Sequence, residues 1–120
     1  MARSHPRFEY DTLANVAARF RLLGDPMRLS ILNALSSGER AVNDLVAETG
    51  ANQANVSKHL GVLARSGVVT RRKEGLRVYY AIADASVFEL CDIVCGSLRA
   101  YLTRELATLP PPPRARRTRR

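Results

Sequence analysis

The chain has 120 residues, of which 46% are hydrophobic, and it carries a net charge of +8. This length favours a single domain, the hydrophobic fraction excludes a chain that is disordered throughout, and no apolar run is long enough to span a bilayer. The N-terminal stretch MARSHPRFEY lacks an apolar signal core, so we expect a cytoplasmic protein with no membrane partner.

The positive charge is unevenly distributed. Five of the basic residues form the C-terminal tail, which leaves +3 for the rest of the chain: Arg114, Arg116, Arg117, Arg119 and Arg120. A basic body with an arginine tail favours a polyanionic partner, most simply nucleic acid. A solvated surface with a charged tail is the alternative that charge alone leaves open.

The first half of the chain predicts an arm and two helices. Residues 1–9 are interpreted as a flexible N-terminal arm, and the apolar spacing from Tyr10 to Leu23 is helical. Asp25 followed by Pro26 is a strong start signal for a second helix, which Gly38 ends.

The central segment predicts a helix-turn-helix. A short helix is expected over about 41–49, and Gly50 supplies the sharp turn after it. Asn52 then caps a second helix over 53–66, which has Val56, Leu60 and Leu63 on one face. Two short amphipathic helices joined by a tight turn with glycine are typical of this motif.

A β-hairpin is predicted directly after the helix-turn-helix. Val68–Lys73 and Arg77–Ile82 are rich in β-branched and aromatic residues, and Glu74-Gly75 is interpreted as the turn between them. A hairpin in this position is a wing.

One long helix is predicted to follow, over about 84–107, with Asp84 or Ser86 as its cap. Prolines 110–113 favour an extended spacer, and we expect disorder in the arginine tail beyond them. The predicted fold is mainly α with a β-hairpin wing, in one domain over 10–108 that is flanked by the arm and by a disordered Pro/Arg-rich tail over 109–120.

The segment from residue 25 to residue 82 resembles the ArsR/SmtB family of bacterial winged-helix repressors. The strings LGDPMRLSILNAL, NQANVSKHLGVLARSGVV and EGLRVYYAIAD carry this resemblance, which covers roughly residues 12–105. It implies a homodimer that is built through the first and last helices, binds operator DNA and responds to an effector.

The second helix of the motif is expected to enter the major groove of double-stranded DNA. Glutamine and asparagine pair with adenine edges, whereas serine and lysine contact bases or phosphates. The hairpin offers basic side chains to phosphates or the minor groove, and Arg77 matches the wing position of the family. The candidate DNA-binding residues are therefore Gln53, Asn55, Ser57, Lys58, His59, Arg71, Arg72, Lys73 and Arg77. His59 is equally well explained by packing.

The sensor sites that the family resemblance would imply are missing. Ala41 and Asn43 stand where arsenic sensors of the family have a Cys-x-Cys pair, and Ser86 and Ser97 stand where zinc sensors have histidines. The remaining candidates are Cys91 and Cys95, which are four residues apart on the last helix.

Three interpretations of these cysteines stay open. They are small hydrophobic residues of an interface; or they bind a soft ion such as As(III), Sb(III), Cd(II) or Pb(II), with a third ligand from the other protomer or from His5; or they sense sulfide, persulfide or oxidants. A direct disulfide between them would be strained, because residues one helical turn apart are too widely spaced.

The predicted function is that of a dimeric repressor of a palindromic operator, released by a thiol-directed inducer and requiring no resident cofactor. An effector-independent nucleic-acid-binding protein is the alternative from a different class. An enzyme is not expected, because the sequence has no nucleophile–base–orienter set and no phosphate-binding glycine loop.

Overall fold

Five helices and three short strands make up the part of the chain that the computed structural model describes, residues 4–111. The helices are α1 (Tyr10–Leu23), α2 (Pro26–Leu35), α3 (Val42–Thr49), α4 (Gln53–Arg65) and α5 (Ser86–Thr108). The strands are β1 (Arg40–Ala41), β2 (Val69–Glu74) and β3 (Arg77–Ile82). The winged helix-turn-helix predicted from the sequence is confirmed: α3 and α4 form the helix pair, and β2 and β3 form the wing.

The chain divides into two compact units. The first extends to Ala85 and contains α1 to α4 and the sheet, and the second begins at Ser86 with α5. Residues 4–9 have no regular secondary structure, as the predicted arm requires. The predicted disorder of the arginine tail and most of the predicted proline spacer fall on residues 112–120, which lie outside the described residues.

Side-chain caps fix the starts of α2 and α4 where the sequence predicts them. The Asp25 carboxylate accepts hydrogen bonds from the backbone N–H groups of Met27 (2.8 Å) and Arg28 (3.1 Å). The bond from the Arg28 amide is the largest of the effects that lower the pKa of Asp25. The Asn52 side chain accepts from the amide of Asn55 at 2.8 Å. Each cap satisfies amides that the helix itself leaves without partners.

The turn between α3 and α4 depends on Gly50. This residue adopts φ +74°, a left-handed conformation that a side chain disfavours, and its N–H donates to the carbonyl of Val46. The chain reverses within three residues, so that α4 begins at Gln53. The spacing between the two helices of the motif is therefore set locally.

The core of the first unit comes from one face each of α2, α3 and α4. Ile31, Leu45, Val56, Leu60 and Leu63 have no exposed surface. The residues of α4 in this set recur at positions i, i+4 and i+7, which share one side of a helix. Because that side of α4 is buried, the residues on its opposite side face solvent.

The sheet differs from the predicted hairpin in two details. A third strand, β1, pairs with β3, so that the strand order is β1-β3-β2 and β3 is central. The predicted turn is also shifted, because Glu74 pairs with Arg77 inside the ladder and Gly75-Leu76 forms the connection. Gly75 has φ +61°, so the turn still depends on glycine at this point.

Helix α5 is mostly exposed along its length. Val87 is buried, whereas several large apolar side chains are at least half exposed: Ile93, Val94, Leu98, Tyr101, Leu102 and Leu106. The helix begins two residues later and ends one residue later than predicted. Across residues 4–111, none of the helices has both the length and the apolar character needed to cross a membrane.

Substitution of the α4 cap tests this description of the motif. Asn52→Ala should reduce the free energy of unfolding by about 1 kcal/mol, because the amide of Asn55 loses its acceptor. Asn52→Ser keeps an acceptor and should behave like the wild type. Urea unfolding followed by circular dichroism measures both variants, and equal stability of Asn52→Ala and the wild type would show that the cap has no energetic role.

Candidate nucleic-acid interface

The N-terminal half of α4 presents polar side chains to solvent. Gln53, Asn55, Ser57 and Lys58 are all exposed, and Val56 between them is buried. These are the four residues that the sequence assigns to the major groove. They lie at the start of a helix, where base-reading residues of a helix-turn-helix lie, and they are donors and acceptors of the kind that base edges recognise.

His59 is held in a different way from these four residues. It is partly buried, and its Nδ1 lies 3.4 Å from Nη1 of Arg28. If the guanidinium donates, Nδ1 must accept, and the ring proton of a neutral imidazole is then on Nε2. Nε2 is the atom left to reach a phosphate.

Arg28 joins the end of α1 to α4. Its Nε donates to the carbonyl of Leu22 at 2.6 Å, and Nη2 donates to the carbonyl of Arg21 at 3.3 Å. The guanidinium thus satisfies carbonyls at the C-terminal end of α1 that have no partner within the helix. This role is structural, and the short polar distances come from residues that sequence spacing does not connect.

The four basic residues of the wing lie on two faces of the hairpin. Because side chains alternate along a strand, Arg71 and Lys73 share one face of β2, and Arg72 lies on the other face. Arg72 pairs with Tyr79 across the ladder, which places Arg77 on the same face as Arg72. All four side chains are exposed.

The charges of these residues are not equally available. Arg72 forms ion pairs at 2.6 Å with both Glu39 and Glu74. Neither Arg71 nor Lys73 forms an ion pair with any residue of the described chain. Of the neighbouring pair on the solvent side of β2, Arg71 therefore has the freer charge.

Arg77 is oriented by the residue two positions along its strand. A hydrogen bond with the Tyr79 side chain is the first cause of a raised pKa at Arg77, and the nearby negative charge of Asp44 acts in the same direction. Arg77 remains a cation at any physiological pH. Its guanidinium has five donors, so the bond to Tyr79 leaves several for a phosphate.

A cleft of about 180 Å³ brings the wing and α4 together. Gln53 from the start of α4 and Arg77 from β3 both line it, as do Asn43 and Asp44 from α3. Two residues predicted from separate parts of the sequence thus meet at one surface. The contributions of Asp44, Glu39 and Tyr79 could not be inferred from the sequence, since each depends on contacts between distant segments.

Cys91 and Cys95 are free and exposed in α5. Positions four apart share one side of a helix, with Cβ atoms about 5–6 Å apart. Among residues 4–111, no group of three or more histidine, cysteine, aspartate or glutamate side chains is arranged to hold a metal ion. Within the described part of one chain, the cysteines are therefore two thiols and not a complete metal site.

Comparison with known proteins identifies relatives that are regulators. The model of the family described as "Bacterial regulatory protein, arsR family" matches residues 25–71. The HTH-type transcriptional regulator Rv0081 of Mycobacterium tuberculosis is 35% identical over 91 residues, which cover 75% of this chain and 80% of that protein. The probable mercury resistance operon repressor of Streptomyces lividans is 38% identical over 71 residues, which cover 59% of this chain and 57% of the relative.

Solved structures show the same fold. The crystal structure of M. tuberculosis Rv0081 has a TM-score of 0.68 at 33% identity, and the match covers 78% of this chain and 96% of that one. The solution structure of the homodimeric winged helix-turn-helix domain of Mb0332 from Mycobacterium bovis has a TM-score of 0.67 at 36% identity. That match covers 85% of this chain and 94% of the domain.

The position of Gln53 leads to a prediction about sequence preference. Gln53→Ala should reduce the discrimination between a preferred duplex and its single-base variants by about 1–3 kcal/mol, because a bidentate contact to a base edge is lost. Competition gel-shift titrations measure the ratio of affinities. Asn33→Ala, an exposed amide on α2, is the matched control, and an unchanged ratio in Gln53→Ala would remove this residue from base reading.

The position of Arg77 leads to a prediction about salt dependence. Arg77→Ala should weaken binding to all sequences and reduce the slope of log K against log salt by about one, since one phosphate contact is lost. Arg99→Ala, an exposed arginine of α5, makes the same change in net charge and should keep the slope. Equal slopes for both variants would place Arg77 away from phosphate.

Proposed function

Because the chain belongs to the ArsR/SmtB family of winged-helix transcriptional regulators, we propose that it is a repressor that binds a palindromic operator as a homodimer. In this proposal α4 occupies the major groove, and the wing contacts phosphates or the minor groove. A thiol-directed inducer acting at Cys91 and Cys95 of α5 releases the operator.

One observation supports DNA binding by this surface more than any other. The exposed polar start of α4 and Arg77 of the wing line a single cleft. Base-reading amides and a phosphate-seeking cation are thus adjacent, as readout of sequence and attachment to the backbone require. The buried side of α4 leaves this polar side as the one that a groove can receive.

Dimer formation is supported by exposed apolar side chains on two helices. On α1, Leu13, Val16 and Phe20 are between 38% and 56% exposed. On α5, the apolar side chains of Val94, Leu98, Tyr101 and Leu102 are at least half exposed. Monomeric proteins seldom leave such surfaces uncovered, and the relative from M. bovis is a homodimer. A two-fold dimer presents two copies of α4 to two half-sites, which is why the operator is expected to be palindromic.

A soft metal or metalloid is the inducer class that the two thiols suit best. Thiolates prefer As(III), Sb(III), Cd(II) or Pb(II) to hard ions, and the similar repressor from S. lividans is named for mercury resistance. Because two thiols are too few for most sites, a further ligand from the second protomer or from His5 belongs to the proposal.

Sulfide, persulfide or an oxidant is the second candidate inducer for the same cysteines. Both thiols are exposed and free, which gives small reactive molecules access. A polysulfide bridge, or a bond across the dimer, would avoid the strain that a direct disulfide one helical turn long would carry.

The alternative from another class is a nucleic-acid-binding protein without an effector, in which the C-terminal arginines supply most of the affinity. Deletion of residues 114–120 separates the two functions. The repressor proposal predicts tight, sequence-dependent binding that survives the deletion. Collapse of binding, together with weak sequence preference in the full chain, would favour the alternative.

The inducer proposal is tested by titrating the protein–DNA complex. We expect As(III), Cd(II) or a persulfide donor to release the DNA from the wild type, because each reacts with or binds thiolates. Zn(II) should act weakly, since the histidines of the family's zinc site are replaced here by Ser86 and Ser97. Fluorescence anisotropy of labelled duplex gives the fraction bound.

The matched control is the double variant Cys91→Ser/Cys95→Ser, which keeps the size of both side chains. It should bind DNA as the wild type does and should no longer be released. Release of the double variant would place the inducer elsewhere, and no release of the wild type by any of these agents would exclude the cysteines as an inducer site of this class.

A further inference from the structure

Arg72 is bonded within the protein by a cluster of three side chains. Its Nε and Nη2 donate to the two carboxylate oxygens of Glu39 at 3.1 and 2.6 Å, and Nη1 donates to Glu74 at 2.6 Å. Its guanidinium carbon lies 4.6 Å from the centroid of the Tyr79 ring. We refer to Arg72, Glu39, Glu74 and Tyr79 as the Arg72 cluster.

The cluster crosses the whole sheet. Arg72 belongs to β2, Tyr79 to the central strand β3, and Glu39 directly precedes β1. The Arg72 side chain therefore passes over the middle strand and reaches the opposite edge. The two bonds to Glu39 have the planar, forked geometry that arginine forms with carboxylates, which fixes orientation as well as distance.

This connection links the wing to the helix-turn-helix. β1 is only two residues long and leads directly into α3, the first helix of the motif. Without the cluster, β2 is hydrogen-bonded only to β3 within the sheet. The bonds to Glu39 give β2 a second attachment, at the point where the chain enters α3.

The charge of Arg72 is already matched. One guanidinium faces two carboxylates, so the cluster has a formal net charge of −1. The bonds from Arg72 are the main cause of the lowered pKa of Glu39, and those with Glu39 and then Glu74 are the main causes of the raised pKa of Arg72. A phosphate that approaches Arg72 meets this negative charge and would have to displace a carboxylate.

We propose that Arg72 is a positioning residue that holds the wing against the segment entering the helix-turn-helix, and that it does not contact DNA. The functional meaning of this assignment rests on the proposed DNA binding. It replaces one of the DNA contacts expected from the sequence by a structural role, and it leaves the phosphate contacts of the outer strand to Arg71 and Lys73.

The first experiment uses the free full-length protein, so that it does not depend on DNA binding. In Arg72→Gln, hydrogen exchange of the β2 amides should be faster than in the wild type, because β2 loses its attachment to Glu39. Glu39→Gln should accelerate exchange in the same amides, since the charged fork is lost from the other side. Arg71→Gln changes an unpaired neighbour and should leave exchange unchanged. Exchange rates in Arg72→Gln that equal those of the wild type would overturn the proposal.

The second experiment measures DNA affinity over a series of salt concentrations. The probe is a mixed-sequence duplex, whose binding is dominated by phosphate contacts. Arg72→Gln should keep the wild-type slope of log K against log salt and should lose less than about tenfold in affinity, as expected for exposed ion pairs. Arg71→Gln should reduce the slope by about one. A reduction of about one in Arg72→Gln would identify a phosphate contact and overturn the proposal.

Two further variants distinguish attachment from charge. Arg72→Lys keeps the charge and loses the fork, so exchange in β2 should remain fast. Glu39→Gln frees Arg72 from its main partner, and the salt slope should nevertheless stay unchanged. An increase of about one in Glu39→Gln would show that Arg72 is a DNA contact restrained by Glu39, which contradicts the assignment. If the duplex is not bound by any variant, the proposed function fails, while the exchange experiment still decides the role of Arg72.

Discussion

The burial of one side of α4 is the constraint on which the rest of the site depends. Val56, Leu60 and Leu63 have no exposed surface, and α4 packs on α2 and α3 through this side. Removing any of these side chains to alanine would cost several kcal/mol, of the order of 2–5 for a leucine. Since the helix cannot rotate without exposing them, Gln53, Ser57 and Lys58 remain turned toward solvent. The same packing that stabilises the unit thus orients the surface proposed to read DNA.

The wing adds a second surface whose residues have different roles despite their similar chemistry. Arg71 and Lys73 have no ion pair within residues 4–111, Arg77 is oriented by Tyr79 beside the start of α4, and Arg72 is bonded to two carboxylates. Counting the basic residues of a hairpin therefore overstates the charge that it can offer to phosphates. The available charge is decided by the carboxylates that the fold brings near each arginine.

The sequence predicts well those features that have local causes. The caps at Asp25 and Asn52, the left-handed turn at Gly50 and the buried side of α4 each depend on residues within a few positions of one another. For this reason the winged helix-turn-helix and the exposed start of α4 could be predicted. Strand β1 could not, because two residues have no periodicity. The partner of Arg72 is 33 positions away, and spacing along the chain gives no indication of such a pair.

The cysteines lie at the limit of both kinds of argument. Sequence periodicity places them on the last helix, and the structure leaves both exposed on α5. One chain supplies two thiols, so the chemistry of a complete site depends on what a second protomer or another segment adds. Their role is thus a question about the assembly, whereas the DNA-binding surface is contained in one unit of one chain.

Selection of duplexes from a random DNA pool by the full-length protein tests the central claim most directly. A dimeric regulator that reads DNA through two copies of α4 should enrich an inverted repeat with half-site centres one helical turn apart, about 34–36 Å, or a multiple of this distance. Enrichment of such a repeat by the wild type is the predicted result. A pool that remains without any enriched sequence, although it is bound, would contradict a sequence-specific regulator.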